Sequence, residues 1–129
     1  MLEARTVSVS IARTAADVYD YAADPSHLPD WSFFDSVTPA GDAWTAVVPG
    51  GDRVTIRFTA GNHLGVLDHT VELPGGEVVP VVMRVVPNGA GSELLFTVFR
   101  RPGGTDADLD ADIAAVRTDL TRLKQHLEA

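Results

Sequence analysis

Apolar and polar positions alternate with a period of two along most of the chain. In residues 6–12, Val7, Val9 and Ile11 alternate with Ser8 and Ser10; in 52–59, Val54, Ile56 and Phe58 alternate with Arg53, Thr55 and Arg57. Such alternation marks half-buried strands, because successive strand side chains point to opposite faces. Four further β-prone runs lie at 44–48, 64–73, 77–86 and 92–100, and a weaker one at 33–39. "PGG" at 49–51, 74–76 and 102–104 and "PNGAG" at 87–91 punctuate these runs as turns, since Pro fixes φ and Gly then permits positive φ. Seven strands result. Short connections join the last six, which predicts an antiparallel meander.

The period changes to 3.6 in two places. Ala15, Val18, Tyr19 and Ala22 fall at helical spacing behind Thr14 and Asp17, the residues of a capping box. This helix should stop near Asp24, before Pro25, and "PSHLPDW" (25–31) should add one short turn or helix. From about 105 to 128, Leu109, Ile113, Val116, Leu120, Leu123 and Leu127 form one apolar stripe. Asp106, Asp108, Asp110 and Asp112 crowd its start and Arg117, Arg122 and Lys124 its second half, as the helix dipole favours. The pattern as a whole predicts an α+β domain over residues 1–129, with two short N-terminal helices and one long C-terminal helix.

Parity assigns the faces. In "LGVLDHTVEL" (64–73), Leu67, His69, Val71 and Leu73 share the apolar row, while Asp68, Thr70 and Glu72 share the polar one. His69 is therefore expected on the inner face. In "EVVPVVMRVV", Val79, Val81, Met83 and Val85 are expected inward and Arg84 outward. Pro80 has no N–H to give a ladder, so a bulge or local break is expected there. Outward Val78, Val82 and Val86 leave an apolar patch open to pairing with a second copy as a homodimer.

Composition narrows the function classes. The chain has 129 residues, 45% of them hydrophobic and 22% charged, as a folded globular domain requires. A formal net charge of −8 repels phosphate polyanions, so nucleic acid is not an expected partner. No run approaches the ~20 apolar residues of a membrane helix. Membrane insertion is therefore not expected, and a cytoplasmic location is.

Candidate chemistry is sparse. There is no cysteine. "DADLD" differs from a calcium loop, with Ala111 where glycine should turn the chain and Arg117 where a bidentate Glu is needed. His63 and His69 on one strand would stand about 20 Å apart at ~3.3 Å per residue. Neither a metal site nor any other cofactor is expected. No serine lies in G-x-S-x-G, and Asp68 and Glu72 share the polar row, so neither a nucleophilic triad nor a glycosidase pair is supported.

The order of elements, together with "VSVSIARTAADVYDYAADPSHLPDW", "GVLDHTVEL" and "GSELLFTVFRRPGGTDADLDADIAAVRTDLTRLKQHL", resembles the START-like (SRPBCC) superfamily. It is most similar to the bacterial polyketide cyclase/dehydrase type. The resemblance spans nearly the entire chain. It implies a helix-grip fold, in which a curved seven-stranded antiparallel sheet holds the long helix over a cavity. It also implies a small hydrophobic ligand, lipid-, aromatic- or polyketide-like, which some members cyclise or dehydrate. It supplies no shared catalytic motif.

Within that frame His69 is the catalytic candidate, as an acid or base or as a hydrogen-bonding group for a ligand. The plainer reading is a core histidine bonded to backbone, water, Tyr19 or Tyr21. His69, Trp31, Leu67, Val71, Met83 and Phe33 are the expected ligand-binding residues, with Trp44 weaker. Ala107, Ala111, Ala114 and Ala115 are candidates for leaving room beside the helix. The expected function is binding of a hydrophobic small molecule between sheet and C-terminal helix. The alternatives are a cyclase- or dehydratase-type enzyme, and a protein-interaction module like the related activators of heat-shock chaperones.

Overall fold

The computed structural model describes residues 1–129. Strand β1 (Ala4–Ile11) leads into helix α1 (Ala15–Ala22), a 3-10 turn (Pro25–His27) and the single-turn helix α2 (Leu28–Trp31). Strands β2 (Ser36–Ala40), β3 (Ala43–Val47), β4 (Arg53–Phe58), β5 (His69–Glu72), β6 (Val78–Asn88) and β7 (Gly91–Phe99) follow, and helix α3 (Asp106–Glu128) completes the order. The strands form one antiparallel sheet ordered β1-β7-β6-β5-β4-β3-β2, so the meander is present and β1 closes on β7.

Side-chain caps fix the helix starts. Thr14 Oγ1 accepts from the Asp17 amide at 3.2 Å. Asp24 then starts the 3-10 turn by accepting from the Ser26 amide at 3.0 Å. At α3 the box is reciprocal: Thr105 Oγ1 accepts from the Asp108 amide, and the Asp108 carboxylate accepts from the Thr105 amide. One acid of the aspartate run is thus a cap. At 1.5 Å per residue α3 is about 34 Å long. Leu109, Leu120, Leu123 and Leu127 are buried beneath it, while Ile113 and Val116 are half-buried. Leu120 and Leu123 join Val7, Ile11, Met83 and Leu94 in the core between helix and sheet.

Four expectations change. The strand expected at 33–39 starts at Ser36, because Phe34 turns into the core instead. The stretch 64–73 is not one strand: only His69–Glu72 is regular, preceded by an isolated bridge between Val66 and Arg84. Pro80 does not interrupt β6, which runs unbroken from Val78 to Asn88. Amides of odd-numbered β6 residues bond toward β5, as Val85 N–H does to Gly65 O, so the donor missing at Pro80 would face β7. The break falls there, and the β6–β7 ladder begins at Val82↔Thr97, while Val78–Val81 pair with β5 alone. Finally, Ala107, Ala111 and Ala114 are exposed, on the side of α3 turned from the sheet.

Candidate functional site

The sheet divides where β6 passes from one neighbour to the other, and a cavity of about 470 Å³ opens beside this split. Val71 and Val81 wall it from the sheet, Ala115 and Val116 from α3, and Trp31 and Phe33 from the segment at the end of α2. Val116 is half-buried, packed against the core on one side and bordering this space on the other. A sealed dry void of this size would cost about 11 kcal/mol at ~24 cal/mol per Å³, as much as a whole domain's stability. This cavity opens at the end bounded by exposed Leu2, Val78 and Pro102.

His69 lies on its wall, 8% exposed, with its ring stacked on Phe58 at 4.4 Å. Its placement follows from a substitution in the β5–β6 ladder. The Leu67 amide donates to Met83 O at 2.9 Å, as an antiparallel pair should. The return bond is replaced: the Met83 amide donates to the Asp68 carboxylate at 2.9 Å, and Leu67 O accepts from His69 Nδ1 at 3.0 Å. A carbonyl only accepts, so Nδ1 carries the proton and the neutral ring presents Nε2 as a bare acceptor. Burial pushes the imidazole pKa below its ordinary value of 6.5. The backbone partner of the plainer reading is therefore present, and one ring nitrogen is left over.

The other expected residues separate into two groups. Trp31, Phe33 and Val71 border the cavity with His69. Leu67 and Met83 do not: 2% and 1% exposed, they pack in the core beyond the wall. Inward parity places a residue under the helix, but the cavity lies toward the β6–β7 split and these two sit past it. Trp44 packs at the core edge, also away from the cavity. Trp31, 3% exposed, belongs to the core as well as to the wall. Its Nε1 is enclosed without a partner. Arg84 points outward and pairs with Asp68 at 2.9 Å.

Asp119 is a wall residue that strand parity had no means of finding. It lies on α3 next to the apolar stripe, three residues after Val116 and seven after Asp112, and all three border the cavity. A carboxylate recurring at i and i+7 beside a stripe is the signal that would have indicated it. Burial, the largest cause, raises its pKa to about 6 against the opposing pull of Arg122 and the Phe33 amide. At the open end, Arg101 pairs with Glu77 at 2.7 Å, and Arg100 pairs with Glu3 and Asp106.

An antiparallel sheet closed on a long helix, with an apolar cavity between, defines the helix-grip class. The chain matches the family described as polyketide cyclase / dehydrase and lipid transport over residues 4–128, and it belongs to that family. No curated protein matches it. Among solved structures it is similar to a protein of uncharacterised function from Bacillus thuringiensis (TM-score 0.80, 16% identity, 97% of this chain and 98% of that one). A START superfamily protein from Mycobacterium smegmatis is also similar (TM-score 0.75, 10% identity, 97% of each chain). So is the Zhui aromatase/cyclase from Streptomyces sp. R1128 (TM-score 0.73, 16% identity, 99% of this chain and 94% of that one). At these identities the likeness is one of fold.

Proposed function

We propose that this protein binds a small hydrophobic compound in the cavity between β5–β7 and α3. The observation that carries the reading is an open, largely apolar cavity of about 470 Å³ in which His69 Nε2 has no protein partner. Ligand sites combine such walls with a few placed polar groups, in volumes of roughly 300–1,000 Å³. His69, Trp31, Phe33 and Val71 are the contact residues in this reading. The test is native mass spectrometry of the purified protein, alongside titration with apolar fluorescent probes. Wild type should retain or take up an apolar compound, and Val81→Trp, which fills the cavity, should weaken uptake more than tenfold. Failure of wild type to bind any such compound would sink the reading.

A second reading, an enzyme of the cyclase or dehydratase type, is favoured by one further observation. His69, neutral with a bare Nε2, and Asp119, whose carboxyl can hold a proton near pH 6, border the same cavity. Burial disfavours the charged form of both groups, keeping the imidazole neutral as a base and raising the carboxyl toward the range of an acid. With a substrate in hand, His69→Ala and Asp119→Asn should each lower turnover by about 100-fold, well beyond the loss in binding, which for His69→Ala should not exceed about tenfold. Unchanged turnover would leave binding as the whole function. An interaction module with a closed interior fits this open cavity less well.

A further inference from the structure

The wall's polar groups say what the ligand must carry, an inference that rests on the ligand-binding reading above. Ser32 Oγ donates to Leu28 O at 2.7 Å, and Thr97 Oγ1 shares a hydrogen bond with Thr6 Oγ1 at 3.0 Å. Arg100 and Arg101, the cations on the wall, are held by Glu3, Asp106 and Glu77. Asp119 is a carboxylate beside the Phe33 amide and Asp112 is exposed to solvent, so neither is a cation that would hold an anion. Two ring nitrogens have no partner. Trp31 Nε1 is fully enclosed, whereas His69 Nε2 is not.

We propose that His69 Nε2 is the cavity's polar anchor and selects an uncharged apolar compound bearing a hydroxyl over an anionic, fatty-acid-like one. The tautomer fixed by Leu67 O makes Nε2 an acceptor, so its complement is a donor, and a hydroxyl supplies one. A carboxylate supplies none. It would also meet Asp112 and Asp119 on the same wall, with both guanidiniums already neutralised. An anion buried without a counter-charge is strongly disfavoured.

Three matched probes test this: naphthalene, 2-naphthol and 2-naphthoate, measured by equilibrium dialysis at pH 7.5. Wild type should bind 2-naphthol about fivefold tighter than naphthalene, the net worth of one hydrogen bond, and 2-naphthoate most weakly. In His69→Phe the two neutral probes should bind equally, with naphthalene unchanged within about twofold. His69→Gln, which keeps an acceptor, should retain part of the preference. Equal binding of naphthol and naphthalene by wild type, tightest binding of naphthoate, or a preference that survives His69→Phe would each overturn the proposal while leaving ligand binding intact. Failure of all three probes would overturn both.

Discussion

A buried imidazole that has surrendered one nitrogen to a backbone carbonyl must gain its charge against burial, and this makes His69 visible in the pH dependence of folding. Its folded pKa lies below 6.5, so the unfolded chain takes up the proton more readily. The stabilisation is complete above about pH 6.5 and is lost as pH falls below that value. His69→Phe should therefore flatten the acid limb of stability below pH 6.5, read from urea midpoints across pH 5–8; an unchanged limb would mean that the ring charges without cost. Asp119 acts in the opposite sense. Its carboxyl is raised from 3.8 to about 6, so the fold holds the proton more tightly and loses stability as pH rises between these values. Asp119→Asn keeps the side chain's size and an acceptor oxygen and should raise Tm at pH 7 by about 3 °C, with little effect at pH 4. A Tm that falls at pH 7 would show that the ionised carboxylate is an asset to the fold. Period-two parity was enough to place His69 inward. It had no bearing on Asp119, because exposure at a stripe's edge depends on what the sheet leaves open beneath it.

The interrupted strand shows why element types were easier to read than element boundaries. Residues 67–73 alternate apolar with polar, His69 alone excepted, yet the Asp68 carboxylate takes a ladder bond and the Leu67 carbonyl leaves the ladder. Parity survives because Val66↔Arg84 and His69↔Val81 keep one register across the interruption. No hydropathy pattern records which acceptor a backbone amide uses. Upstream, Gly65 has φ +73°, and a Cβ there would stand 2.2 Å from Val85 O. Gly65→Ala should thus cost about 2 kcal/mol or more, measured as a shift in urea midpoint at constant m. A loss below about 0.5 kcal/mol would mean that the loop moves away from β6 freely. Pro80 teaches a related lesson. It weakens the sheet on the side its missing donor faces, and that is the side on which the cavity opens. The outer valine patch is likewise narrower than its row suggests, since Arg84 and Asp68 stand paired between Val82 and Val86 and only Val78 and Val86 are strongly exposed.

The fold and the cavity meet as a question of stability for the whole molecule. Helix α3 reaches the sheet through Leu109, Leu120, Leu123 and Leu127, while its middle, at Ala115, Val116 and Asp119, borders the cavity. Ile113 and Val116 still touch the core there, but part of this segment faces open space, where an occupant would add apolar contacts. A compound that binds only the folded state stabilises it by mass action, about 2.7 kcal/mol at a hundred times its Kd. For a chain of this length that corresponds to a rise in Tm of roughly 10 °C. In Val81→Trp the indole occupies the same space from within, so Tm without ligand should equal or exceed that of wild type, and added compound should move it by less than about 2 °C. Differential scanning calorimetry with and without the compound measures both effects. If Val81→Trp kept the full ligand-induced rise, the compound would be bound elsewhere on the molecule, and the opening between β6 and β7 would be only a consequence of where Pro80 stands in the sheet.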